Sequence, residues 1–391
     1  MPSRLTAGSP RNRPTGRRGV TLFVATRKGL FLYDADAARR TFKPRAPLFF
    51  GCDVHHAVVD PRDGRTALAG VKTGHLGPTV FRSIDRGRTW KEASGPPRFR
   101  KAEGDAKGRA VKAVFWLTPG HASRPSEWWA GTIPHGVFKS TDGGVSFEEC
   151  VGFSTALATW SQVPGRIDEA PPGPITHSIL VDPRDPRRLV VGLSTGGTFQ
   201  SRDEGATWTP HNAGVVADFL PEKDPEWGHD PHLIAQHPLL PQRLWQQTHC
   251  GIYRVDEPER RWTRIGLAMP KSVGDVGFSI VLHPTHVDTA WVLPMDGTSV
   301  WPRTSVGGKP AVYRTTNAGR SWTRSGAGFP RSRAYWTVMR QAFTGDGLAP
   351  AGLYLGTTSG SVWASRDEGA RFREIARDLP YVQAVTAAAG F

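Results

Sequence analysis

The sequence predicts an all-β fold: a seven-bladed β-propeller of four-stranded antiparallel blades, closed by the C-terminal strand joining the first blade. Three observations predict it. An octet typified by SRDEGATW, Ser201 to Trp208, returns in five good copies and one worn one, its third residue spaced by 50 to 61 residues. That spacing holds one four-stranded blade and its loops. An apolar run ending at proline recurs ahead of the octets, and the two chain ends carry complementary parts of one further blade.

Taken in order, blade 1 is TLFVATRKGLFLYDADAARRTF, which has middle and outer strands but no inner one; YVQAVTA, Tyr381 to Ala387, fills the gap. Blades 2 to 4 open on HHAVVDP (His55 to Pro61), AVFWLTP (Ala113 to Pro119) and HSILVDP (His177 to Pro183). Their octets are SIDRGRTW (Ser83 to Trp90), STDGGVSF (Ser140 to Phe147) and SRDEGATW. Blade 5 has HLIAQHP (His232 to Pro238) and the worn YRVDEPERRW (Tyr253 to Trp262). Blade 6 has FSIVLHP (Phe278 to Pro284) and TTNAGRSW (Thr315 to Trp322); blade 7 has YWTVMRQAF (Tyr335 to Phe343) and SRDEGARF (Ser365 to Phe372). Apolar runs stopped by proline suit the innermost strand of a blade. In the octet, Asp accepts N–H bonds within its own turn, Gly takes the positive φ, and the closing aromatic packs between sheets.

Composition agrees. With 38% hydrophobic residues, 44 Gly, 33 Pro and 14 Trp, the chain can bury a large core. No run approaches the apolar length that spans a bilayer. The net charge of +15 attracts polyanions, but the arginines are scattered through turns such as DPRDGR and DPRDPRR, and no nucleic-acid module accompanies them. Specific nucleic-acid and membrane partners are therefore not expected. Residues 1–19 read as a disordered basic tail without a secretory signal, and 20–391 as a single propeller. Three widely spaced cysteines, Cys52, Cys150 and Cys250, fit a reducing, cytoplasmic setting.

The octet S-x-D-x-G-x-T-W resembles the Asp-box, or bacterial neuraminidase repeat, and the chain after residue 20 resembles the sialidase-like and sortilin-like propellers that carry it. It is also similar to bacterial proteins of the glycosyl hydrolase or exo-sialidase type, including the phrase LWQQTHCGIYR. The resemblance implies a structural octet lying away from the functional face. Departures are Asn317 for Asp, Phe147 and Phe372 for Trp, a first blade with no octet, and the lack of the Arg-Ile-Pro tripeptide of sialidases. A propeller of this type serves several functions, so the site must decide.

The links on the octet rim, such as HPLLPQR, are short, whereas residues 148–176, 209–231 and 295–311 form long connections on the opposite rim, where binding groups usually sit. His55, His177 and His232 share the inner-strand entrance, and His75, His135 and His249 come from second-to-third turns on the same rim, with His56 and His229 nearby. Either they fill a polar channel, or His55, His177, His232 and His249 hold a divalent metal ion. Carboxylates offer a glycosidase-type alternative: Asp230 first, then Glu226 and Asp218, in a loop that also holds Glu222 and Asp224, with Asp168 and Glu169 in the preceding loop. His56, His75, His135, Trp160, Trp227, Trp301 and Trp336 are candidate substrate contacts, and Lys28 and Arg340 candidates for an anionic group. Cys250 reads as a buried strand residue. The expected function is sialidase-like or glycoside-hydrolase-like action on, or binding of, a carbohydrate-type or anionic small molecule. The alternative is a non-catalytic scaffold presenting this rim to a protein or other ligand. Oligomeric state is open.

Overall fold

A computed structural model describes residues 19–101, 109–160, 174–297 and 303–391. Nearly all of the basic tail, and Asp168, Glu169 and Trp301, lie outside them. Seven four-stranded antiparallel sheets form the molecule. Inner strands of blades 2 to 7 are Asp53–Val59, Ala113–Pro119, Thr176–Val181, Pro231–His237, Gly277–Leu282 and Phe343–Gly345. Blade 1 borrows its inner strand from the C terminus: Val382–Ala389 pairs antiparallel with Val20–Thr26, ahead of Gly29–Ala35 and Phe42–Pro44. Each inner strand contacts the next around the ring, Val382–Ala389 touching those of blades 2 and 7. The fold is the predicted propeller, with the predicted closure.

The octets act as turn locks. In blade 4 the Ser201 hydroxyl donates to Asp203 Oδ1 (2.8 Å) and accepts from Gly205 N (2.8 Å). Asp203 Oδ1 accepts from Thr207 N (2.9 Å), and its Oδ2 from the Thr207 hydroxyl (2.6 Å). Glu204 and Gly205 are both left-handed, φ 63° and 89°, and a Cβ on Gly205 would lie 2.8 Å from Cys150 Sγ. Trp208 then folds back, its indole donating to Gly205 O (2.9 Å) as it packs on Phe153 and Phe199. The packed layer lies between blades, where Trp129, Trp245 and Trp291 are fully buried. Removing one such indole costs about 3–5 kcal/mol.

Two local expectations need correcting. Tyr335 to Phe343 is not a strand along its length: regular pairing begins at Phe343, and before it Thr337, Met339, Arg340 and Gln341 line the central channel. Trp336 and Val338 bury themselves in the layer between blades 6 and 7, so the run is apolar for packing without being extended. The second is a helix, α1 (Val151–Trp160), in the connection after blade 3, where Phe153 and Leu157 pack onto blade 4.

Candidate functional site

The rim bearing the inner-strand entrances opens on a central funnel of about 570 Å³. Its shape comes from a bulge repeated in blades 2 to 5: pairing skips His55, Phe115, Ser178 and His232. In blade 6 it skips Phe278 and Ser279. Apolar walls come from Phe115, Ile133, Ile175 and Met339. The Gln341 amide reaches from blade 7 to donate to Phe115 O of blade 3 (2.8 Å), a crossbar in the funnel lining that sequence reasoning missed.

Arg340 is the chemically unusual wall residue. It is 4% exposed, lies 5.6 Å over the Phe278 ring, and its Nε and Nη1 have no hydrogen-bond partner. Burial lowers its pKa, opposed by the charge of Asp230. Arg27 faces the same funnel, stacked 4.1 Å over Tyr381. Lys28, the residue expected for an anionic group, is exposed on that turn and does not line the funnel. The turn's tip carries its neighbour inward instead.

Beyond Phe278 stands a second group. The Asp230 carboxylate meets His232 Nε2 at 3.5 Å and His249 Nδ1 at 3.4 Å through one oxygen, while its other oxygen accepts from Thr195 N (3.2 Å). His232 Nδ1 donates to Gly277 O (2.5 Å), and Arg303 Nη2 donates to His249 Nε2 (2.9 Å). Burial opposes ionisation of Asp230, but His232, His249 and the Arg340 charge hold its carboxyl well below the ordinary value. Burial also lowers His232. The carboxylate is thus a base or a ligand, and not a proton donor.

Of the expected metal set, His232 and His249 come together, with Asp230 as the third member. His55 shares the bulge position of His232 but stands by Asp53 (3.6 Å), lowered by burial against that carboxylate's pull. His177 falls one residue before its bulge, because the bulge in blade 4 is Ser178. Both its nitrogens are engaged, Nε2 with Pro231 O (2.7 Å) and Nδ1 with the Ser178 hydroxyl (2.9 Å), so it has no lone pair for a metal. The remaining candidates disperse. His56 is buried between blades, accepting from Leu117 N at Nδ1 (3.1 Å), and burial pushes its pKa down to about 3. His135 bonds Ser194 O through Nε2 (3.0 Å), with burial again taking it to about 3. His229 holds Pro225 O (2.8 Å), and His75 is exposed at a turn tip.

The expected sugar platforms are packing residues. Trp160 stacks on Phe199 at 4.4 Å, Trp227 packs against the same cluster, and Trp336 is buried beside Trp363. Glu226 and Asp218 are exposed; Glu226 contributes its carbonyl to Asn212, and Asp218 stands beside Cys250, whose thiol is raised by burial. Cys250 is buried as expected, and all three cysteines are free.

Fold and funnel define the class: a seven-bladed β-propeller with a central funnel. The sequence matches no family model. It is 22% identical over 302 residues to a xyloglucanase of Hypocrea jecorina, covering 72% of this chain and 34% of that enzyme. The chain thus spans about a third of that relative's length. In structure it resembles the GH74 xyloglucanase of Xanthomonas campestris, with TM-score 0.62, 18% identity, and coverage of 92% of this chain and 53% of that one. The periplasmic gluconolactonase PpgL of Pseudomonas aeruginosa aligns over 95% of this chain and 100% of its own, with TM-score 0.59 and 12% identity.

Proposed function

We propose that this propeller binds a carbohydrate-type small molecule carrying an anionic group in its central funnel, and acts on it as a glycoside-hydrolase-like enzyme. The observation carrying this is Arg340: a guanidinium 4% exposed, with two unpartnered nitrogens, in the wall of a funnel of about 570 Å³. A buried cation without an acceptor is costly, and a carboxylate or phosphate on the ligand supplies one. The apolar walls suit a sugar's C–H faces, and Arg27 adds a second cation. Likeness to xyloglucanases supports the carbohydrate class.

For catalysis, the Asp230 carboxylate is the base that activates water. A second reading, binding without turnover, is favoured by one observation: an ionised Asp230 cannot protonate a leaving group, as glycoside hydrolysis requires. Titration calorimetry with glucuronic acid and glucose separates the cases, alongside release of chromophore from aryl glucuronides. Glucuronic acid should bind and glucose should not, and Arg340→Met should weaken binding at least about 10-fold with unchanged circular dichroism. Equal affinity for acid and neutral sugar would sink the funnel reading.

A further inference from the structure

We infer that Asp230, His232 and His249 form a binding site for a divalent transition-metal ion of the zinc type. This goes beyond the funnel reading and does not depend on it. One donor atom from each residue lies within 4.8 Å of the other two. Asp230 Oδ2 stands 3.5 Å from His232 Nε2 and 3.4 Å from His249 Nδ1. Ligands about 2.1 Å from a tetrahedral ion stand about 3.4 Å apart. The wider third edge closes by rotation of the His249 ring, whose side chain is 36% exposed.

Hydrogen bonding at His232 strengthens the case. Its Nδ1 must donate, because its partner is a carbonyl, Gly277 O. That leaves Nε2 of His232, a residue 2% exposed, facing the Asp230 carboxylate oxygen at 3.5 Å. A ligand histidine whose other nitrogen is fixed on a backbone carbonyl is the usual arrangement around bound zinc. Three protein donors, two of them open to solvent, leave a coordination position for water or for a ligand atom.

Arg303 supplies a distinctive consequence. It donates to His249 Nε2, which therefore carries the lone pair, leaving the ring proton on Nδ1. Metal at Nδ1 moves that proton to Nε2 and makes the Arg303 contact repulsive. Metal binding and the Arg303 contact therefore exclude each other.

The test uses the full chain purified without a polyhistidine tag and stripped with chelator, titrated with Zn²⁺ by calorimetry and with Co²⁺ by visible absorption. One ion per chain is expected, with the intense absorption of low-coordinate Co²⁺. Asp230→Asn, which keeps the side chain's shape, and His249→Ala should each weaken binding at least about 10-fold. His177→Asn should leave it unchanged, and Arg303→Met should tighten it. Failure of the wild-type chain to bind either ion overturns the inference. So does binding that persists at full strength in folded Asp230→Asn and His249→Ala variants, which would place the ion elsewhere. Glucuronic acid binding in the stripped protein reads the funnel separately, so loss of one result leaves the other standing.

Discussion

At the scale of single residues, the rim histidines show how one side-chain type takes different roles according to which nitrogen is engaged. His56 and His135 are sealed between blades, and burial takes both from 6.5 to about 3. His56 must also stay unprotonated at Nδ1 to accept from Leu117 N. Because the folded pKa lies below the unfolded one, the unfolded chain takes up the proton first. Stability is therefore complete above pH 6.5 and falls as the pH drops toward 3, by up to about 1.4 kcal/mol per pH unit for each histidine. Urea unfolding at pH 7 and pH 5 should show this loss, and His56→Asn should make the slope shallower by about one proton. An unchanged slope in that variant would mean that His56 takes up its proton alike in the folded and unfolded chain, so that burial does not lower its pKa. Such distinctions were only partly legible beforehand. Asp230 could be picked out because it lies two residues before His232, and His232 and His249 because one opens an inner strand and the other sits in a second-to-third turn on the same rim. His177 could not be set apart from His232, because a bulge shifts its side chain by one position and no residue type announces the bulge.

At the scale of the element, the octet is legible because its function is local. Every hydrogen bond of the Asp203 carboxylate lies within residues 201–207, so the local sequence specifies it, while Glu204 N ties the turn to Arg187 O (2.9 Å). The funnel is the opposite case. Gln341 reaches a carbonyl 226 positions away, and Arg340 is placed by a segment that looks like a strand and is not one. Blade 6 contains a natural variant of the turn: Asn317 Oδ1 accepts from Ser321 N (3.0 Å) and its Nδ2 donates to the Ser321 hydroxyl (2.8 Å). Amide for carboxylate thus keeps the geometry. Asp203→Ala should destabilise the protein by about 1–2 kcal/mol, and Asp203→Asn by less than half of that. Chemical denaturation at pH 7 measures both. The Thr207 hydroxyl and N–H, aided by Ser201 against a burial penalty, also hold Asp203 below its ordinary pKa, so the difference between Asp and Asn should shrink as the pH falls through the folded pKa. An Asn variant as damaging as Ala would show that charge, and not turn geometry, holds the octet.

At the scale of the whole molecule, closure is the decisive feature, since a ring of seven sheets has one seam and the chain crosses it. Val382–Ala389 pairs with Val20–Thr26 over its length, and Gly390 N donates to Gly19 O (2.9 Å), so strands from opposite ends of the sequence share blade 1. Ala384 and Ala388 pack toward blade 2, and Val382 and Val385 toward blade 7, which makes this strand part of both neighbouring layers. To open the ring at blade 1, the molecule must lose either this pairing or one of those two layers. A circular permutant tests how far this covalent arrangement, as distinct from packing, resists opening. Joining Phe391 to Gly19 through a short glycine linker and cutting between Pro47 and Leu48 would build every blade from contiguous chain, with every native strand pairing kept. The permutant should fold to the same circular dichroism and bind funnel ligands as the parent does. Its seam would then be held by non-covalent contacts alone between blades 1 and 2, so unfolding in denaturant should be at least about 10-fold faster, with folding rates little changed. Stopped-flow unfolding reads this directly. Equal unfolding rates would show that packing between blades, and not the shared strand, sets the barrier to opening.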